Sequence, residues 1–467
     1  MPDYDVTVIG SGPGGYVAAI HAGRLGARVA ILEQKDTEWG GTCLNWGCIP
    51  TKALIHGAEV FQTVRRAAEF GVRVPEPDID WPVMQGRKDR VVEALRKGVQ
   101  GLLKANGVEM ITARGRLAGG TRVSADGREL SSGSVLLAPG SVVALPPVPG
   151  AELGLTSDTI LGLDHVPGSL VVIGGGVVGM EFAGVFSMLG TKVTVVEMLD
   201  QLLAPLDPDV AGRFRQLMAR RGIVFHLGAR LEEIARAGGQ LRVRFGGGEL
   251  AAEQVLVATG RRPNTADLGL EPASVATKGS AIAVDQQLRT NVNGVYAIGD
   301  ATGVSMLAHT ASYQGEIAVT NALGEKRISA DYSAIPACIY TDPEIAYVGL
   351  SEAQARANGE DVRVGQFPFS ALGRAMILGD TSGLVKVVAD KDGYLLGVTI
   401  MGPRATDLIA EAALALNVGI TAAELSHVVH AHPTLPEAIA EAALDVDGRA
   451  VHVPPRKRPQ PATTLTG

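Results

Sequence analysis

The 467-residue chain has only three cysteines, no long apolar run and no excess of positive charge. Three cysteines cannot form the disulfide framework of a small secreted domain. The net charge of −7 argues against a nucleic-acid-binding surface. No run of about 18 apolar residues is free of charge or clustered glycine, so we predict no membrane span. We therefore expect neither nucleic acid nor a membrane as a partner.

The length and the N-terminus suggest a multidomain cytoplasmic protein. A chain of this size is expected to form two to four domains. A strand begins almost at residue 1 and leaves no room for a signal peptide, so we expect a reducing cytoplasm. In that compartment a close pair of cysteines is more often catalytic or metal-binding than structural.

Glycine is abundant, with 59 residues, and one glycine-rich turn lies between a strand and a helix. The apolar strand at 5–10 runs into Gly10-Ser-Gly12-Pro-Gly-Gly15, and a helical pattern and a second strand ending at Glu33 follow. In this context Gly10 makes a tight turn, Gly12 lets the backbone approach a pyrophosphate, and Gly15 lets the helix pack closely. Glu33 would accept hydrogen bonds from a ribose.

The same pattern occurs a second time. Its first glycine and its acid each lie 164 residues after their counterparts, and the candidate site residues of this second motif are Gly174, Gly176, Val177, Val178, Gly179 and Glu197. We therefore predict two dinucleotide sites. Glu197 stands where a 2′-phosphate would need a cation, and residues 198–203 contain no arginine. That favours NAD over NADP at the second site.

Two further regions help to place the domains. The apolar run 294–299 ends at Asp300, and ligands of parallel sheets bind outside the carboxyl ends of the strands, so Asp300 is expected to face a cofactor. A helix N-cap or turn role for Asp300 is the alternative. From residue 334 onward strands and helices alternate less regularly, with helices expected at about 405–417 and 435–444. This region is predicted to be a separate α+β domain.

Cys43 and Cys48 form a close pair. Zinc would need four ligands, and the third cysteine, Cys338, stands alone in an apolar stretch, where we expect a core residue. A redox pair fits better. Positions five apart on a helix diverge by about 140°, so one cysteine must leave the helix, with 45–47 as an irregular link. A helix from Cys48 to Val60 would favour a Cys48 thiolate at its N-terminus. Lys52, one helical turn after Cys48, could stabilise a nearby negative charge or be a solvated surface lysine.

A second group of reactive residues lies in His430-Ala-His432-Pro-Thr434-Leu-Pro-Glu437. A dithiol enzyme needs a base near neutral pH, which suits an imidazole, and a carboxylate can orient the ring. His432 and Glu437 are the candidates. The alternatives stay open at this point, because Thr434 and Glu437 also have the spacing of a capping box and His432 could be a turn residue.

Taken together, these motifs resemble the pyridine nucleotide–disulfide oxidoreductases of class I, and within them the dihydrolipoamide dehydrogenases. The resemblance covers residues 1 to about 450 and rests on the segments 40–52, 257–264, 296–300 and 430–437. It implies an α/β fold with two Rossmann-like domains, for FAD and NAD, and a C-terminal α+β dimerisation domain. The expected boundaries are 1–146 (FAD, first part), 147–270 (NAD), 271–342 (FAD or central, second part), 343–450 (dimerisation) and 451–467 (flexible tail).

The resemblance also implies roles for individual residues. Cys43 would be the interchange thiol that attacks the lipoyl sulfur, Cys48 would lie against the flavin, and Lys52 near the flavin would pair with Glu181. His432 would serve the disulfide of the partner subunit in a homodimer. Further FAD contacts would be Gly41, Thr42, Gly115, Gly140, Ser141, Asp300, Met306, Leu307, Ala308 and His309, and Gly260 would contact NAD.

The implied activity is oxidation of protein-bound dihydrolipoyl groups by NAD⁺ through a Cys43–Cys48 disulfide and FAD. The implied partners are lipoyl-bearing domains of a 2-oxoacid dehydrogenase or glycine cleavage complex, and no metal is implied. Two residues depart from the pattern: Pro139, which has no N–H, replaces the usual threonine, and Trp46 is bulkier than usual. A glutathione-like or mercuric reductase and a non-catalytic scaffold subunit are the alternatives. Glu197 opposes the first, and the absence of any cysteine after Cys338 opposes the second.

Overall fold

A computed structural model of the chain describes residues 1–324 and 327–454, so the predicted tail lies outside the described residues from 455 onward. The helices are α1 (Pro13–Arg24), α2 (Gly41–Trp46), α3 (Cys48–Arg65), α4 (Trp81–Ala105), α5 (Val177–Met188), α6 (Pro208–Arg220), α7 (Ala308–Leu323), α8 (Glu352–Ala357), α9 (Gly373–Leu378), α10 (Ala405–Val418), α11 (Ala422–His427) and α12 (Glu437–Asp445).

The strands up to residue 143 are β1 (Tyr4–Ile9), β2 (Val29–Glu33), β3 (Glu109–Thr112), β4 (Gly115–Gly119), β5 (Arg122–Ala125), β6 (Arg128–Leu137) and β7 (Ser141–Val143). The strands from 169 to 297 are β8 (Ser169–Ile173), β9 (Lys192–Val196), β10 (Val224–His226), β11 (Leu231–Ala237), β12 (Gln240–Phe245), β13 (Gly248–Ala252), β14 (Gln254–Val257), β15 (Arg261–Pro263), β16 (Thr277–Lys278), β17 (Ala281–Ile282) and β18 (Val295–Ala297). The last five are β19 (Ala337–Ile339), β20 (Ile345–Gly349), β21 (Arg363–Pro368), β22 (Leu384–Ala389) and β23 (Leu395–Met401).

The chain forms two compact units. Residues 1–200 with 222–331 make the first, and residues 201–221 with the described residues from 332 onward make the second. The five predicted domain boundaries divide the chain more finely than this and stay a prediction. Among the described residues, no helix combines the length and the apolar composition that crossing a membrane requires.

The first unit contains two parallel sheets with the same strand order. One runs β3-β2-β1-β6, with β18 beside β6, and the other runs β10-β9-β8-β14. Their strands are short and apolar because helices and loops cover both faces. An antiparallel meander follows in each half, β4-β5-β6 in one and β11-β12-β13 in the other. The repeat seen in the two glycine motifs therefore extends through both folds.

The first glycine of each motif turns the chain sharply. Gly10 has φ +99° and Gly174 has φ +110°, a backbone conformation that side chains disfavour. A Cβ on Gly10 would lie 2.2 Å from the Ala138 carbonyl oxygen, and one on Gly174 would lie 2.4 Å from the Ala258 carbonyl oxygen. Ala138 and Ala258 follow β6 and β14, so each turn packs against the end of the neighbouring strand.

The last glycine of each motif lets the helix approach the turn. A Cβ on Gly15 would lie 1.9 Å from the Gly10 carbonyl oxygen, and a Cβ on Gly179 would lie 2.0 Å from the Gly174 carbonyl oxygen. By contrast, a Cβ on Gly176 would meet nothing within 4 Å. Close packing therefore requires Gly15 and Gly179, whereas Gly176 faces open space.

The second unit is built on one antiparallel sheet in the order β19-β20-β23-β22-β21. Its core joins sheet residues such as Val385 and Ile400 to the alanine-rich helices α10 and α12, through residues such as Ala412 and Ala442. The predicted helices at 405–417 and 435–444 correspond to Ala405–Val418 and Glu437–Asp445, and the short α11 was not predicted.

A buried lysine joins α6 to the sheet of the second unit. Lys386 on β22 is 2% exposed, and its Nζ lies 3.0 Å from Asp207, 3.0 Å from Asp209 and 2.9 Å from Glu352. Burial acts to lower the pKa of Lys386, but hydrogen bonds to the three carboxylates outweigh it and raise the pKa. These contacts explain why α6 belongs to this unit although its sequence lies between β9 and β10.

Substituting Gly179 and Gly176 should distinguish a tightly packed glycine from one that faces open space. We expect Gly179→Ala to lower the free energy of unfolding by about 2 kcal/mol or more, because the new methyl group overlaps a backbone oxygen that cannot move aside. Gly176→Ala is the matched control and should stay within about 0.5 kcal/mol of the unchanged protein. Urea unfolding followed by circular dichroism measures both, and equal stabilities would contradict the packing argument.

Candidate active site

The first glycine turn has room and donors for a pyrophosphate. Gly12 is the N-cap of α1, no side chain caps the helix, and no acidic residue lies in its first turn. A Cβ on Gly12 would meet nothing within 4 Å. The free N–H groups of a helix N-terminus attract phosphate, so this turn fits the dinucleotide that the sequence predicts.

Glu33 is tied to the same turn. Its Oε2 accepts hydrogen bonds from the Ser11 N–H at 3.1 Å and the Ser11 hydroxyl at 2.6 Å, and its Oε1 accepts from the Gln34 N–H at 2.7 Å. Burial raises the pKa of the Glu33 carboxyl, although these hydrogen bonds act in the opposite direction. Ser11 was not among the predicted site residues, and its place between the first two glycines is the signal that could have identified it.

The second turn has a similar arrangement. Gly176 is the N-cap of α5, which begins at Val177 and continues through Val178 without a side-chain cap or an acid in its first turn. The Glu197 carboxylate accepts from the Gly175 N–H at 2.5 Å and the Leu199 N–H at 2.7 Å. A carboxylate at this strand end would repel a 2′-phosphate, which fits NAD.

The two cysteines lie on separate helices. Cys43 is in α2, and Cys48 is the first residue of α3, which continues to Arg65 rather than ending at Val60. The predicted irregular link at 45–47 was wrong in extent, because residues 45 and 46 are helical and Gly47 alone breaks the helix, with φ −128° and ψ −115°. A Cβ on Gly47 would lie 2.9 Å from the Thr42 carbonyl oxygen. This single residue therefore breaks the helix between the two cysteines.

Both cysteines are free thiols in the structure, and each changes the pKa of the other. The hydrogen bond with Cys48 and burial raise the pKa of the Cys43 thiol. The hydrogen bond from Cys43 and, to a smaller extent, the charge of Lys52 lower the pKa of Cys48 to about 7, against the effect of burial. Of the two thiols, Cys48 is therefore the one that ionises first as the pH rises.

Lys52 forms an ion pair across the first unit. Its Nζ lies 2.8 Å from both carboxylate oxygens of Glu181 on α5. Lys52 is 29% exposed and Glu181 is 4% exposed, so the pair is largely shielded from water. The structure therefore contains the ion pair that the resemblance implied, and Lys52 is not a solvated surface lysine.

The cysteine segment is attached to the first glycine turn. A Cβ on Gly41 would lie 2.5 Å from the Cα of Gly12, so the two glycines are in close backbone contact. The Asn45 side-chain amide donates to the carbonyl oxygens of residues 38, 39 and 41 at 3.0, 3.1 and 3.0 Å. Asn45, which had been interpreted as part of a link, therefore holds the loop before α2 in place.

Several other predicted cofactor contacts lie at chain turns of the first unit. Asp300 is in a 3-10 turn at Gly299–Thr302, and its Oδ2 accepts from the Ser141 hydroxyl at 2.5 Å. Gly140 has φ +70° and Gly260 has φ +122°, and a Cβ on either would meet nothing within 4 Å. The remaining predicted contacts are Thr42 in α2, Gly115 at the start of β4, buried against Ile9 and Leu32, and Met306, Leu307, Ala308 and His309 around the start of α7. Their contact with a cofactor stays a prediction.

His432 and Glu437 form a pair in the second unit. His432 Nδ1 lies 2.8 Å from Glu437 Oε1, and Glu437 Oε2 accepts from the Thr434 N–H at 2.7 Å. Partial burial acts to raise the pKa of Glu437, but these hydrogen bonds outweigh it and hold the pKa below its usual value. Because Nδ1–H donates to the carboxylate, Nε2 keeps its lone pair, and the His432 side chain is 80% exposed.

Only one of the two hydrogen bonds of the alternative capping box is present. Glu437 accepts from the Thr434 N–H, but the Thr434 hydroxyl donates to the Ala431 carbonyl oxygen, and α12 begins at Glu437 itself. The neighbouring His430 is 8% exposed in its side chain, and its two ring nitrogens contact Val428 O at 2.8 Å and Glu411 at 2.7 Å. His430 therefore has no free nitrogen for base catalysis, whereas His432 has one.

Among residues 1–324 and 327–454, no group of three or more His, Cys, Asp or Glu side chains is placed to hold a metal ion. Cys338, expected in the core, is half-buried on β19 and packs against the core of the second unit.

Comparison with known proteins agrees with this architecture. Residues 4–315 match the pyridine nucleotide-disulphide oxidoreductase family, and residues 335–443 match its dimerisation domain. The chain is 43% identical to dihydrolipoyl dehydrogenase of Halobacterium salinarum, covering 96% of this chain and 97% of that protein. It is 39% identical to dihydrolipoyl dehydrogenase of Bacillus subtilis, covering 96% of this chain and 99% of that protein.

A solved structure is also similar. The HOCl-induced flavoprotein disulfide reductase RclA from Escherichia coli matches with a TM-score of 0.86 and 29% identity, covering 94% of this chain and 99% of that one. The predicted fold class, with two dinucleotide-binding folds and a C-terminal dimerisation domain, is confirmed. The chain belongs to the pyridine nucleotide-disulphide oxidoreductase family.

Proposed function

We propose that this chain is a dihydrolipoyl dehydrogenase, which oxidises protein-bound dihydrolipoyl groups and reduces NAD⁺. The observation that carries the proposal is the pair of Cys43 on α2 and Cys48 at the start of α3, in a segment whose Gly41 packs directly against Gly12 of the first glycine turn. The curated relatives at about 40% identity over nearly the full chain bear the same name. The active oxidised form contains a Cys43–Cys48 disulfide.

The pKa values of the two thiols give the direction of disulfide exchange. A substrate thiolate attacks Cys43 Sγ, forms a mixed disulfide and expels Cys48 as a thiolate. Thiols of lower pKa leave faster, so a Cys48 pKa of about 7 favours attack at Cys43 over attack at Cys48. The second substrate thiolate then attacks the substrate sulfur bound to Cys43. Oxidised lipoyl leaves, and Cys43 takes up a proton because its own pKa is raised.

His432 is the base for this exchange. Each of the two substrate thiols must lose a proton, and an imidazole Nε2 with a free lone pair can accept it near neutral pH. The carboxylate of Glu437 stabilises the resulting imidazolium through Nδ1–H. His432 releases the proton of the first thiol to solvent, accepts the proton of the second thiol, and returns that second proton to Cys43 as that sulfur leaves the mixed disulfide.

The first glycine turn is the site we assign to FAD, because the cysteine segment packs directly on it. Gly12 and the N-terminus of α1 would hold the pyrophosphate, Glu33 the ribose, and Ser141, Asp300 and the start of α7 further polar groups. When bound, FAD supplies the two-electron acceptor between the dithiol and NAD⁺. Lys52 and Glu181 form an ion pair close to Cys48, in which the Lys52 charge lowers the pKa of Cys48 by more than the Glu181 charge raises it, so the thiolate is stabilised.

The second turn is the NAD site, with Gly176, Val177 and Val178 at the pyrophosphate, Glu197 at the ribose and Gly260 nearby.

We further infer a homodimer in which His432 serves the disulfide of the partner subunit. The dimerisation-domain match supports this, as do four exposed apolar side chains of the second unit: Leu414 (65%), Val418 (64%), Val428 (52%) and Val429 (95%). The lipoyl-bearing domain of a 2-oxoacid dehydrogenase or glycine cleavage complex is the proposed substrate partner, in the cytoplasm.

Removing either thiol tests the proposed reaction. Cys43→Ser and Cys48→Ser should each abolish NADH formation from dihydrolipoamide, because neither variant can form the disulfide that accepts the two electrons. Ferricyanide reduction by NADH, which does not use the thiols, should persist and serves as the control for folding. Substantial dihydrolipoamide activity in either variant would contradict the mechanism. A preference of the unchanged protein for NADPH over NADH would instead favour the related glutathione-like reductases.

The charge of Lys52 should set the titration of Cys48. In reduced Cys43→Ser protein, where the introduced hydroxyl can still donate a hydrogen bond, about half of Cys48 should be thiolate near pH 7. Adding Lys52→Met should move the titration to higher pH, because a stabilising cation is lost and Glu181 stays negative. Ultraviolet thiolate absorbance against pH measures this. Lys35→Met, at an exposed ion pair with Glu38, is the control, and identical midpoints for both lysine variants would refute the Lys52 effect.

The base assignment is tested at His432. His432→Gln should lower kcat by about 10²–10⁴-fold, because proton transfer from the substrate thiols is lost while the fold is retained. The matched control is His56→Gln, since His56 Nδ1 also lies near a glutamate, 3.2 Å from Glu59, but belongs to no predicted site. Steady-state dihydrolipoamide oxidation measures both, and equal losses would point to a structural role for His432.

Mixed dimers show whether the base acts between subunits. When Cys43→Ser and His432→Gln chains are unfolded together and refolded, about half of the dimers contain one chain of each kind, and each such dimer has one intact site if His432 acts across the interface. About a quarter of the normal activity should return. No recovery in demonstrably mixed dimers would mean that both residues act within one chain.

A further inference from the structure

A short two-stranded ribbon joins the two dinucleotide folds of the first unit. Strand β7 begins at Ser141, directly after Gly140 at one strand end, and β15 begins at Arg261, directly after Gly260 at the corresponding end of the other fold. The strands are antiparallel, with Arg261 opposite Val143 and Pro263 opposite Ser141. The ribbon therefore places a residue of the second fold beside predicted cofactor contacts of the first.

We propose that Arg261 is a positioning residue of the FAD site, which fixes Ser141 and Asp300 for the cofactor and is itself held by Asp158. The proposal rests on the proposed function, because it takes the first fold as the flavin site. Neither Arg261 nor Asp158 was among the predicted site residues.

The contacts form one continuous chain of hydrogen bonds. Arg261 Nε donates to the Ser141 hydroxyl oxygen at 2.8 Å, and Arg261 Nη2 donates to the Ser141 carbonyl oxygen at 2.8 Å. The Ser141 hydroxyl in turn donates to Asp300 Oδ2 at 2.5 Å. On the other side, Arg261 Nη1 lies 3.2 Å from Asp158 Oδ1 and 3.3 Å from the Ser157 hydroxyl.

The direction of these bonds is fixed by chemistry. A guanidinium can only donate, so the Ser141 oxygen must accept from Arg261 and point its one hydrogen at Asp300. Ser141 is 5% exposed, so water does not compete freely for that hydroxyl. The hydrogen bond holds Asp300 Oδ2 and leaves Oδ1 of the carboxylate for a hydroxyl of the cofactor.

The chain of contacts needs an arginine. Three nitrogens of one planar group reach both oxygen atoms of Ser141 and the Asp158 carboxylate together, which a single ammonium cannot reproduce. Arg261 is 18% exposed and Asp158 is 32% exposed, so their ion pair is partly shielded. Pro139, two residues before Ser141, has no N–H to offer at this strand end, which makes the arrangement of Ser141 depend more on Arg261.

The adjacent arginine provides a matched control. Arg262 is the next residue of β15 and is exposed, and its side chain makes no hydrogen bond or ion pair with the described residues. Replacing Arg261 or Arg262 by glutamine removes the same charge from the same strand. Only the first replacement breaks the contacts with Ser141 and Asp158.

The test is FAD binding to the full-length protein. The apoprotein of each variant is titrated with FAD, and quenching of flavin fluorescence gives the Kd. Arg261→Gln should raise the Kd by about tenfold or more, since hydrogen bonds that involve a charged group are lost, and Arg261→Lys should recover only part of the affinity. Arg262→Gln should bind FAD as the unchanged protein does. The unfolding midpoint of each apoprotein separates a loss of stability from a loss of positioning.

Each outcome decides a separate question. Equal Kd values for Arg261→Gln and Arg262→Gln overturn the positioning role while leaving the proposed function intact. If the unchanged protein binds no FAD, the proposed function fails, and this inference fails with it. If Arg261→Gln does not fold, Asp158→Asn takes its place, because it loosens Arg261 from outside the cofactor site. A several-fold higher Kd in that variant supports the role, and an unchanged Kd overturns it.

Discussion

The contact of a helix with the turn that precedes it is the constraint on which the first unit depends. At Gly15 and Gly179 the helix Cα atoms lie so close to a carbonyl oxygen that a Cβ would overlap it, at 1.9 and 2.0 Å. This contact aims the N-termini of α1 and α5 at the open space beside Gly12 and Gly176. The dinucleotide sites, the orientation of α1 above its sheet and the position of the cysteine segment all follow from it.

The cysteine segment places two identical side chains in different surroundings. A one-residue break at Gly47 separates α2 from α3, so two thiols that would point apart on a continuous helix lie close enough to change each other's pKa. The hydrogen bond and the charge of Lys52 then lower the pKa of one thiol and the bond raises that of the other. In the proposed exchange, this difference in leaving ability favours substrate attack at Cys43 over attack at Cys48.

Much of the fold could be predicted from the sequence, because its signals are local. The glycine turns, the apolar strands and the acids at Glu33 and Glu197 can each be recognised from a stretch of about thirty residues. The end of α3 and the helical state of Asn45 could not be predicted in the same way. Asn45 is a weak helix former that often caps or turns, and its three bonds to the preceding loop become visible only once that loop is placed.

The candidate site also contains residues that local sequence predicts and residues that depend on distant contacts. Cys43, Cys48 and His432 stand in motifs whose residue types are unusual enough to be noticed, whereas Arg261 and Asp158 stand 103 residues apart and have no chemical signature of their own. Lys386 with Asp207 is a similar case, since a charged residue on a buried strand contradicts the local pattern until its partners are known. Long-range hydrogen bonds decide such positions, and a single sequence does not contain them.

The two halves of the first unit also show how a repeated fold becomes specialised. In the second turn the residue after the first glycine is Gly175, which offers only its N–H to Glu197. In the first turn that residue is Ser11, whose hydroxyl donates to Glu33 and accepts from the Gly40 N–H at 3.1 Å. One hydroxyl group therefore connects the dinucleotide turn to the start of the cysteine segment. The second turn has no side chain at this position, so it can hold a nucleotide but has no comparable means of holding a redox segment beside it.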